Sequence, residues 1–286
     1  MNKQLEIAQE LVEQLKIPPR PEALISVTRE LEKKVPDVDV VVNSLQSDVS
    51  LSGAVLQVVN SPLFSLPQQV SSIQQGIMLL GLEKVASLVR TTAMKNALGG
   101  CHFDRFWDTA SDVALIASHL AKQLTELEPD DAYTLGLFHE CGIPLMMQAF
   151  PDYNELLKKV NNDNSLILSE LEHDQYGTTH CALGYMLGRK WFLPEYINRG
   201  VFLMQGYKRV FNGKIKQSEH ASQLLAVLLL ARNISASFRK ELRSDESEIV
   251  VCTEALDYFG LSELDFEGVG DALCAELEEQ LTSSNL

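Results

Sequence analysis

The sequence predicts an all-α protein made of two helical lobes, and three observations carry the prediction. Of the 286 residues, 45% are hydrophobic and 22% are charged, close to the average of soluble globular domains. Apolar residues recur at steps of three and four in one segment after another, which is the period of an amphipathic helix. Alternating β-branched runs between Gly or Asn turns, the pattern of strands, are missing. We therefore expect a helical protein with enough apolar surface to form a core.

The first hundred residues predict six short helices, which form an N-terminal bundle. A stripe of apolar residues runs through 3–16, and the proline-rich segment that follows ends this helix because proline blocks helix continuation. Asp37 and either Ser71 or Ser72 are suited to cap helix starts, and Gly81 separates two helices. The predicted helices are 3–16, 21–34, 37–46, 48–60, 71–80 and 82–98.

The remaining chain predicts a second set of helices and an acidic end. Gly99 and Gly100 mark a joint, and the helix that starts at Phe103 carries a stripe lined mostly with Ala, which permits close helix packing. The predicted helices are 103–127, 129–140, 143–150, 151–162, 165–175, 178–191, 194–204, 217–241, 246–259 and 261–282. The predicted domains are an N-terminal helical lobe at 1–100, a second helical lobe at 101–240 and an acidic C-terminal helical extension at 241–286.

The charge is unevenly distributed along the chain. The formal net charge is −15, and residues 241–286 alone hold 13 acidic residues against one basic residue. Residues 189–216 instead hold seven basic residues and one acidic residue. Two solvated faces would explain this pattern, as would an acidic tail that folds onto the basic segment. A third interpretation is an anion-binding surface, for which the candidates are Arg189, Lys190, Arg199, Lys208 and Arg209.

Composition also argues against several classes of partner. A pI of about 4.8 argues against a dedicated nucleic-acid binder, since phosphate contacts need clustered Lys and Arg. The longest apolar run is the eight residues 224–231, whereas a spanning helix needs about 20. The charged N-terminus is not a secretory signal, and five Cys without a CxxC do not make a disulfide framework. We expect a cytoplasmic protein that binds neither nucleic acid nor membrane.

One cluster of residue types bears on chemistry. The chain has no Gly-rich nucleotide-binding loop, no HExxH and no GxSxG. His139 and Glu140 stand side by side at the end of an apolar segment, just before Gly142. Such a pair could reach one metal ion if other helices supplied further ligands. A structural histidine at a helix end is the favoured interpretation of this pattern.

Several segments in order along the chain resemble one family. The chain resembles the HDOD family, a bacterial signalling-associated relative of the HD phosphohydrolases, over roughly residues 15–235. The resemblance implies an N-terminal helical bundle followed by a degenerate HD-domain-like helical lobe. The segments that carry it are 17–21, 48–52, 56–62, 70–77 and 79–83 in the first half, and 106–107, 137–142, 176–180 and 191–195 in the second.

The resemblance also implies where a metal site would lie. HD hydrolases converge His and Asp side chains on one or two metal ions, which activate a bound water. The matching positions here are Thr109, His139, Glu140, His180, Met204, Gln205 and Arg232. Two imidazoles remain, one carboxylate is lengthened, and a guanidinium stands where a ligand is expected. A metal site usually needs at least three well-aimed ligands, so we expect a degenerate site without a metal, cofactor or catalytic residue. The structural interpretation is a hydrogen-bonded polar plug, in which Arg232 could pair with Glu140.

The predicted function is a non-enzymatic signalling module that acts by protein–protein interaction with an unidentified partner. The surfaces considered for contact are the 61–70 loop, the basic segment 189–216 and the acidic tail. A reused pocket that binds a small anion or a nucleotide without hydrolysis is also considered. The alternative, which leaves the question of an enzyme open, is a metal-dependent phosphohydrolase of the HD superfamily. It would use a divalent metal and act on a nucleotide or cyclic dinucleotide.

Overall fold

The computed structural model describes residues 3–15, 17, 20–31, 33–60, 70–98, 104–163, 166–243 and 252–284. Within these ranges the regular structure is helical and contains no strand, so the all-α prediction is confirmed. The 61–69 part of the predicted loop lies outside the described residues. The helices are α1 Lys3–Gln14, α2 Glu22–Leu31, α3 Val38–Gln46, α4 Val49–Val59, α5 Ile73–Leu80, α6 Leu82–Ala97, α7 Asp104–Leu124, α8 Pro129–Phe138, α9 Gly142–Ala149, α10 Tyr153–Asn162, α11 Leu168–Tyr176, α12 His180–Lys190, α13 Glu195–Leu203, α14 Tyr207–Phe211, α15 Glu219–Arg243, α16 Thr253–Phe259 and α17 Glu263–Ser284.

Helix starts in the first hundred residues follow the capping residues. The Asp37 carboxylate accepts hydrogen bonds from two backbone N–H groups of the first turn of α3, and Asp48 does the same for α4. Ser72 is the cap of α5, and Gly81 ends that helix with φ of 83°, a conformation that favours glycine. These local signals explain why the predicted helix limits are close to the observed ones.

The chain divides into two compact units. The large unit comprises Met1–Ile17 and Phe103–Cys274, and the small unit comprises Pro18–His102 and Ala275–Leu286. The division differs from the predicted domains at the first helix and throughout the acidic extension, whose last part, Ala275–Leu286, is assigned to the small unit. The first helix, predicted within the N-terminal lobe, belongs to the large unit, and so does most of the described acidic extension. Membership in a unit depends on which surface buries a helix, and sequence order does not specify that surface.

Helix α1 joins the large unit through contacts with α12 and the residues just before it. Its buried stripe includes Ala8 and Val12. The Gln4 side chain donates to the Thr179 hydroxyl at 2.7 Å, and the Thr178 hydroxyl donates to the Gln4 carbonyl at 3.0 Å. The same two threonines precede His180, so α1 supports the backbone that presents this histidine.

Close helix packing forms the centre of the large unit. The predicted alanine stripe of α7 is buried, and a Cβ on Gly136 would lie 2.6 Å from the Cα atom of Ala114. Glycine and alanine therefore let α8 approach α7 closely. Helix α15 packs on α7 as well, and the Arg239 Nε atom donates to Asp112 at 2.5 Å.

Helix α15 is the apolar core helix of the large unit. Within this helix, the 21-residue segment Glu219–Arg239 is long and apolar enough to cross a membrane, by length and composition alone. However, 67% of the apolar window is buried inside the protein, as expected of a core helix. Leu224, Leu230 and Phe238 are fully buried. Its apolar surface is thus used in packing against neighbouring helices.

Candidate functional site

The loop from α8 to α9 lies against the start of α12. His139 and Glu140 follow α8, and Gly142 begins α9. A Cβ on Gly142 would lie 1.9 Å from the backbone oxygen of His180, so only glycine allows this approach. The glycine at position 142 therefore brings His139 and Glu140 close to His180. We call His139, Glu140, Glu172, His180 and Arg232 the polar cluster.

His139 is buried, and the protein itself uses one of its ring nitrogens. Its Nδ1 atom lies 2.6 Å from the Gly136 carbonyl oxygen, which can only accept, so Nδ1 carries the hydrogen. Its Nε2 atom lies 3.7 Å from Glu140 Oε2. Burial and, to a smaller extent, Arg232 lower the pKa of His139 to about 4, against the opposing effect of Glu140. The ring is therefore neutral at neutral pH.

Glu140 forms an ion pair with Arg232 from α15. The Arg232 Nη2 atom donates to Glu140 Oε1 at 2.9 Å, and the side chains of Arg232 and Glu140 are 34% and 21% exposed. Burial would raise the pKa of Glu140, but His139 and Arg232 lower it to about 2. Arg232 thus occupies the position where the resemblance expects a metal-binding aspartate, and its charge compensates the carboxylate.

His180 has partners at both ring nitrogens. Its Nδ1 atom lies 2.8 and 2.9 Å from the two oxygens of Glu172, and its backbone N–H donates to the same carboxylate at 3.0 Å. Its Nε2 atom lies 3.3 Å from the Sγ atom of Cys181. Burial would lower the pKa of His180, but Cys181 and Glu172 raise it well above its usual value. The ring is therefore protonated at neutral pH.

Glu172 is the functional residue that sequence reasoning missed. Its side chain is fully buried on α11, and the Tyr153 hydroxyl donates to it. Burial and Glu172 raise the pKa of Tyr153, so that hydroxyl keeps its hydrogen. Glu172 lies in a charged stretch that is typical of an exposed helix. The available signal is its spacing of four residues from Leu168 and from Tyr176, which places it on a less polar face.

The other positions implied by the resemblance add no metal-binding group. Thr109 is partly buried on α7, Met204 is buried in a 3₁₀ turn after α13, and Gln205 is partly exposed beside it. They carry a hydroxyl, a thioether and an amide. Across the described ranges, no group of three or more His, Cys, Asp or Glu side chains is arranged to hold a metal ion. An HD-type metal does not fit this set of donors.

The basic candidates separate into two groups. Arg189 and Lys190 end α12, and Arg199 lies on α13, which packs against that end through Gly188 and Asn198. Lys208 and Arg209 instead lie on α14. This short helix was not predicted, because the sequence interpretation left the residues between 204 and 217 without a helix.

The acidic extension meets the basic segment at α14, where the Phe211 and Tyr258 ring centroids lie 5.5 Å apart. Lys208 Nζ lies 3.4 Å from Glu254 Oε1, which belongs to α16. Helix α16 is attached to α15 by a hydrogen bond from the Cys252 N–H to Asn233 Oδ1 at 3.0 Å. The interpretation of a tail folded onto the basic segment therefore applies to α14 and its Lys208, and among the described residues no ion pair joins the tail to Arg189 or Lys190.

The fold is similar to that of solved bacterial proteins. A "putative phosphohydrolase" from Shewanella amazonensis SB2B matches with a TM-score of 0.69 and 22% identity, over 96% of each chain. A "putative signal transduction protein" from Marinobacter aquaeolei VT8 matches with a TM-score of 0.77 and 20% identity, over 99% of this chain and 64% of that one. These likenesses establish a shared fold.

Sequence comparison identifies the family. An uncharacterized Bacillus subtilis protein, YuxH, is 28% identical over 111 residues, and the match spans 38% of this chain and 27% of that relative's length. The family model of the HDOD domain matches residues 17–205, well over half of the chain. This chain is a member of the HDOD domain family.

Proposed function

We propose that this chain is a non-enzymatic signalling module of the HDOD family, which acts in the cytoplasm through contact with a protein partner. The observation that carries the proposal is that the ring nitrogens of His180 already contact groups of the protein. Its Nδ1 atom contacts Glu172, an arrangement that metal-binding histidines also have. Its Nε2 atom lies 3.3 Å from Cys181 Sγ, so this nitrogen has no lone pair directed at open space. A metal ligand must be a neutral imidazole with a free lone pair.

The rest of the polar cluster supports the same proposal. Glu140 already receives a hydrogen bond from Arg232, and that guanidinium would repel a dication beside the carboxylate. A metal could bind only after these contacts were broken. Each buried polar group left without a partner costs about 1–3 kcal/mol. The cluster therefore has the properties of a hydrogen-bonded set of buried polar side chains that stabilises the packing of α8, α11, α12 and α15.

The second candidate is a metal-dependent phosphohydrolase that acts on a nucleotide or a cyclic dinucleotide. Two observations favour it. A protein of similar fold carries a phosphohydrolase name, and His139, Glu140 and His180 lie close enough to affect one another's pKa. This candidate requires Glu172 and Arg232 to release their partners when a metal binds.

Metal analysis and a phosphoester assay distinguish the two candidates. The full chain is purified after growth with added Mn, Fe, Ni and Zn, and its metal content is measured by mass spectrometry. Turnover of bis(p-nitrophenyl) phosphate and of cyclic dinucleotides is then assayed. The proposal predicts metal well below one ion per chain and no turnover. One ion per chain, lost together with activity in His139→Ala and His180→Ala, would support the hydrolase.

The Arg232→Asp variant is a matched control for this assay. It replaces the guanidinium with the residue type that the resemblance expects at this position. If the variant binds metal and the natural chain does not, Arg232 is one of the residues that exclude a metal. Uptake by both proteins to the same extent would contradict the proposed role of the guanidinium.

A further inference from the structure

The junction of α12 and α13 presents an exposed aromatic residue on a strained backbone. Phe192 has φ of 57° and its side chain is 84% exposed. The turn is a Schellman-type helix end, in which the Phe192 N–H donates to Arg189 O at 3.1 Å and the Leu193 N–H donates to Gly188 O at 2.9 Å. Glycine is the usual residue at this position. A phenylalanine here lowers stability and leaves a large apolar side chain in water.

Three basic residues lie within seven positions of Phe192 in the sequence. Arg189 and Arg199 are exposed, and Lys190 is partly exposed. A Cβ on Gly188 would lie 2.0 Å from Asn198 Oδ1, so the neighbouring residues Arg189 and Arg199 follow two positions in close contact. In the described part of the chain, none of these three cations is in an ion pair. We call Arg189, Lys190, Phe192 and Arg199 the basic face.

Helix α17 carries an exposed apolar residue that is flanked by acidic residues. Its inner side packs through Phe266 and Leu273, which are buried. Leu264 lies on the outer side and is 77% exposed. Acidic residues on exposed positions flank this leucine. We call Glu263, Leu264, Glu267 and Asp271 the acidic face.

The acidic face is held in place by its own helix start. Ser262 and Asp265 form a capping box, in which the Asp265 N–H donates to the Ser262 hydroxyl oxygen at 3.2 Å and the Ser262 backbone N–H donates to Asp265 Oδ2 at 3.2 Å. Asp265 is therefore used in capping. Glu263, Glu267 and Asp271 have no ion pair among the described residues.

We propose that the basic face binds the acidic face of a second copy of this chain, head to tail. Each face has one exposed apolar side chain flanked by unpaired charges, and the charges are of opposite sign. Because the two faces differ, the contact is heterologous and each copy keeps one free face for another neighbour. The faces are small, so the association belongs to the weak class, below about 1,200 Å² of buried surface. This inference goes beyond the proposed function and holds whether or not the chain hydrolyses a phosphoester.

Sedimentation velocity on the full chain measures the association directly. At an ionic strength of about 50 mM the average mass should rise above the monomer mass of 31.8 kDa with increasing protein concentration. It should return towards the monomer at about 500 mM, since exposed charges are screened there. A chain that stays monomeric up to several hundred micromolar at low salt would overturn the proposal.

Phe192→Gly separates docking from folding. Glycine suits the observed positive φ, so this variant should keep or raise the melting temperature while its association weakens by about tenfold or more. Arg189→Glu/Arg199→Glu should abolish association. Lys158→Glu/Lys159→Glu on α10 makes the same change in net charge on exposed residues elsewhere and should associate like the natural chain. An equal loss in this control would overturn the proposal.

A mixing experiment tests the head-to-tail geometry. Glu267→Gln/Asp271→Asn keeps the basic face, and Arg189→Gln/Arg199→Gln keeps the acidic face. Neutral replacements are used because charge reversal on both variants would create a second complementary pair of faces. Each variant alone should be monomeric. An equimolar mixture should form a species of two chains and no larger assembly, because one intact pair of faces remains. A mixture that stays monomeric would overturn the proposal.

Discussion

His180 and Glu172 form a completely buried pair, with Nδ1 2.8 Å from Oε2. The carboxylate also accepts from the His180 backbone and from Tyr153. It therefore fixes three elements at once: α10, α11 and the start of α12. This pair determines the state of one of the two histidines that remain at the positions implied by the resemblance.

Removing the charge of Glu172 should therefore destabilise the fold strongly. Glu172→Gln keeps the size of the side chain but leaves a buried imidazolium without its counter-charge, and breaking such a pair costs about 3–5 kcal/mol. Urea unfolding followed by circular dichroism measures the change. Glu170→Gln, on the exposed side of the same helix, should change stability by less than about 0.5 kcal/mol. Equal effects of the two changes would contradict the described role of Glu172.

His139 should make the protein sensitive to mild acid. Burial gives this ring a pKa of about 4 in the folded protein, below its ordinary value of 6.5, so the unfolded chain binds the proton more readily. Its contribution to stability is present above pH 6.5 and is lost as the pH falls towards 4, by about 3 kcal/mol in total. His139→Gln has no such titration, so its stability should vary less with pH across this range. Identical pH profiles for the two proteins would disprove the assignment.

The Glu140–Arg232 pair should show compensation in a double-mutant cycle. Arg232→Leu leaves the carboxylate half-buried without its partner, which should cost about 1–2 kcal/mol. Glu140→Gln leaves the guanidinium with a weaker acceptor. The double variant should lose less stability than the sum of the single variants, because neither charge is then left alone. Chemical denaturation of all four proteins tests this, and strict additivity would show that the two groups do not interact.

Gly142 should be the least replaceable glycine near the polar cluster. An added Cβ would lie 1.9 Å from the His180 backbone oxygen, so Gly142→Ala must push α9 away from α12 and should cost more than about 3 kcal/mol. Gly268→Ala is the matched control, since nothing lies within 4 Å of its Cβ position on helix α17. That change should stabilise the protein by about 0.5–1 kcal/mol. Thermal unfolding distinguishes them, and a well-folded Gly142→Ala protein would contradict the close contact.

The predictable parts of this molecule are those with local causes. The start of α3 follows from the Asp37 carboxylate, and the end of α5 follows from Gly81, so neighbouring residues determine both. The all-α fold follows from the repeated apolar period. These features do not depend on which distant surface a helix meets.

The parts that sequence reasoning missed have distant causes. Glu172 lies in a charged stretch, and it is buried because Tyr153 and His180 supply its hydrogen bonds. Helix α1 packs beside Thr179, 175 residues away from Gln4. Partner choice of this kind depends on tertiary packing, which single-sequence periodicity does not record.

The protonation state of His180 is the most direct test of the central claim, that both ring nitrogens of this histidine are already used within the protein. Nitrogen-15 NMR of labelled full-length protein at pH 7 reports both ring nitrogens, with His180→Gln to assign the signals. The account predicts an imidazolium with both nitrogens protonated, unchanged by added Zn²⁺ or Mn²⁺. A neutral ring whose nitrogen signal shifts or disappears when metal is added would contradict it.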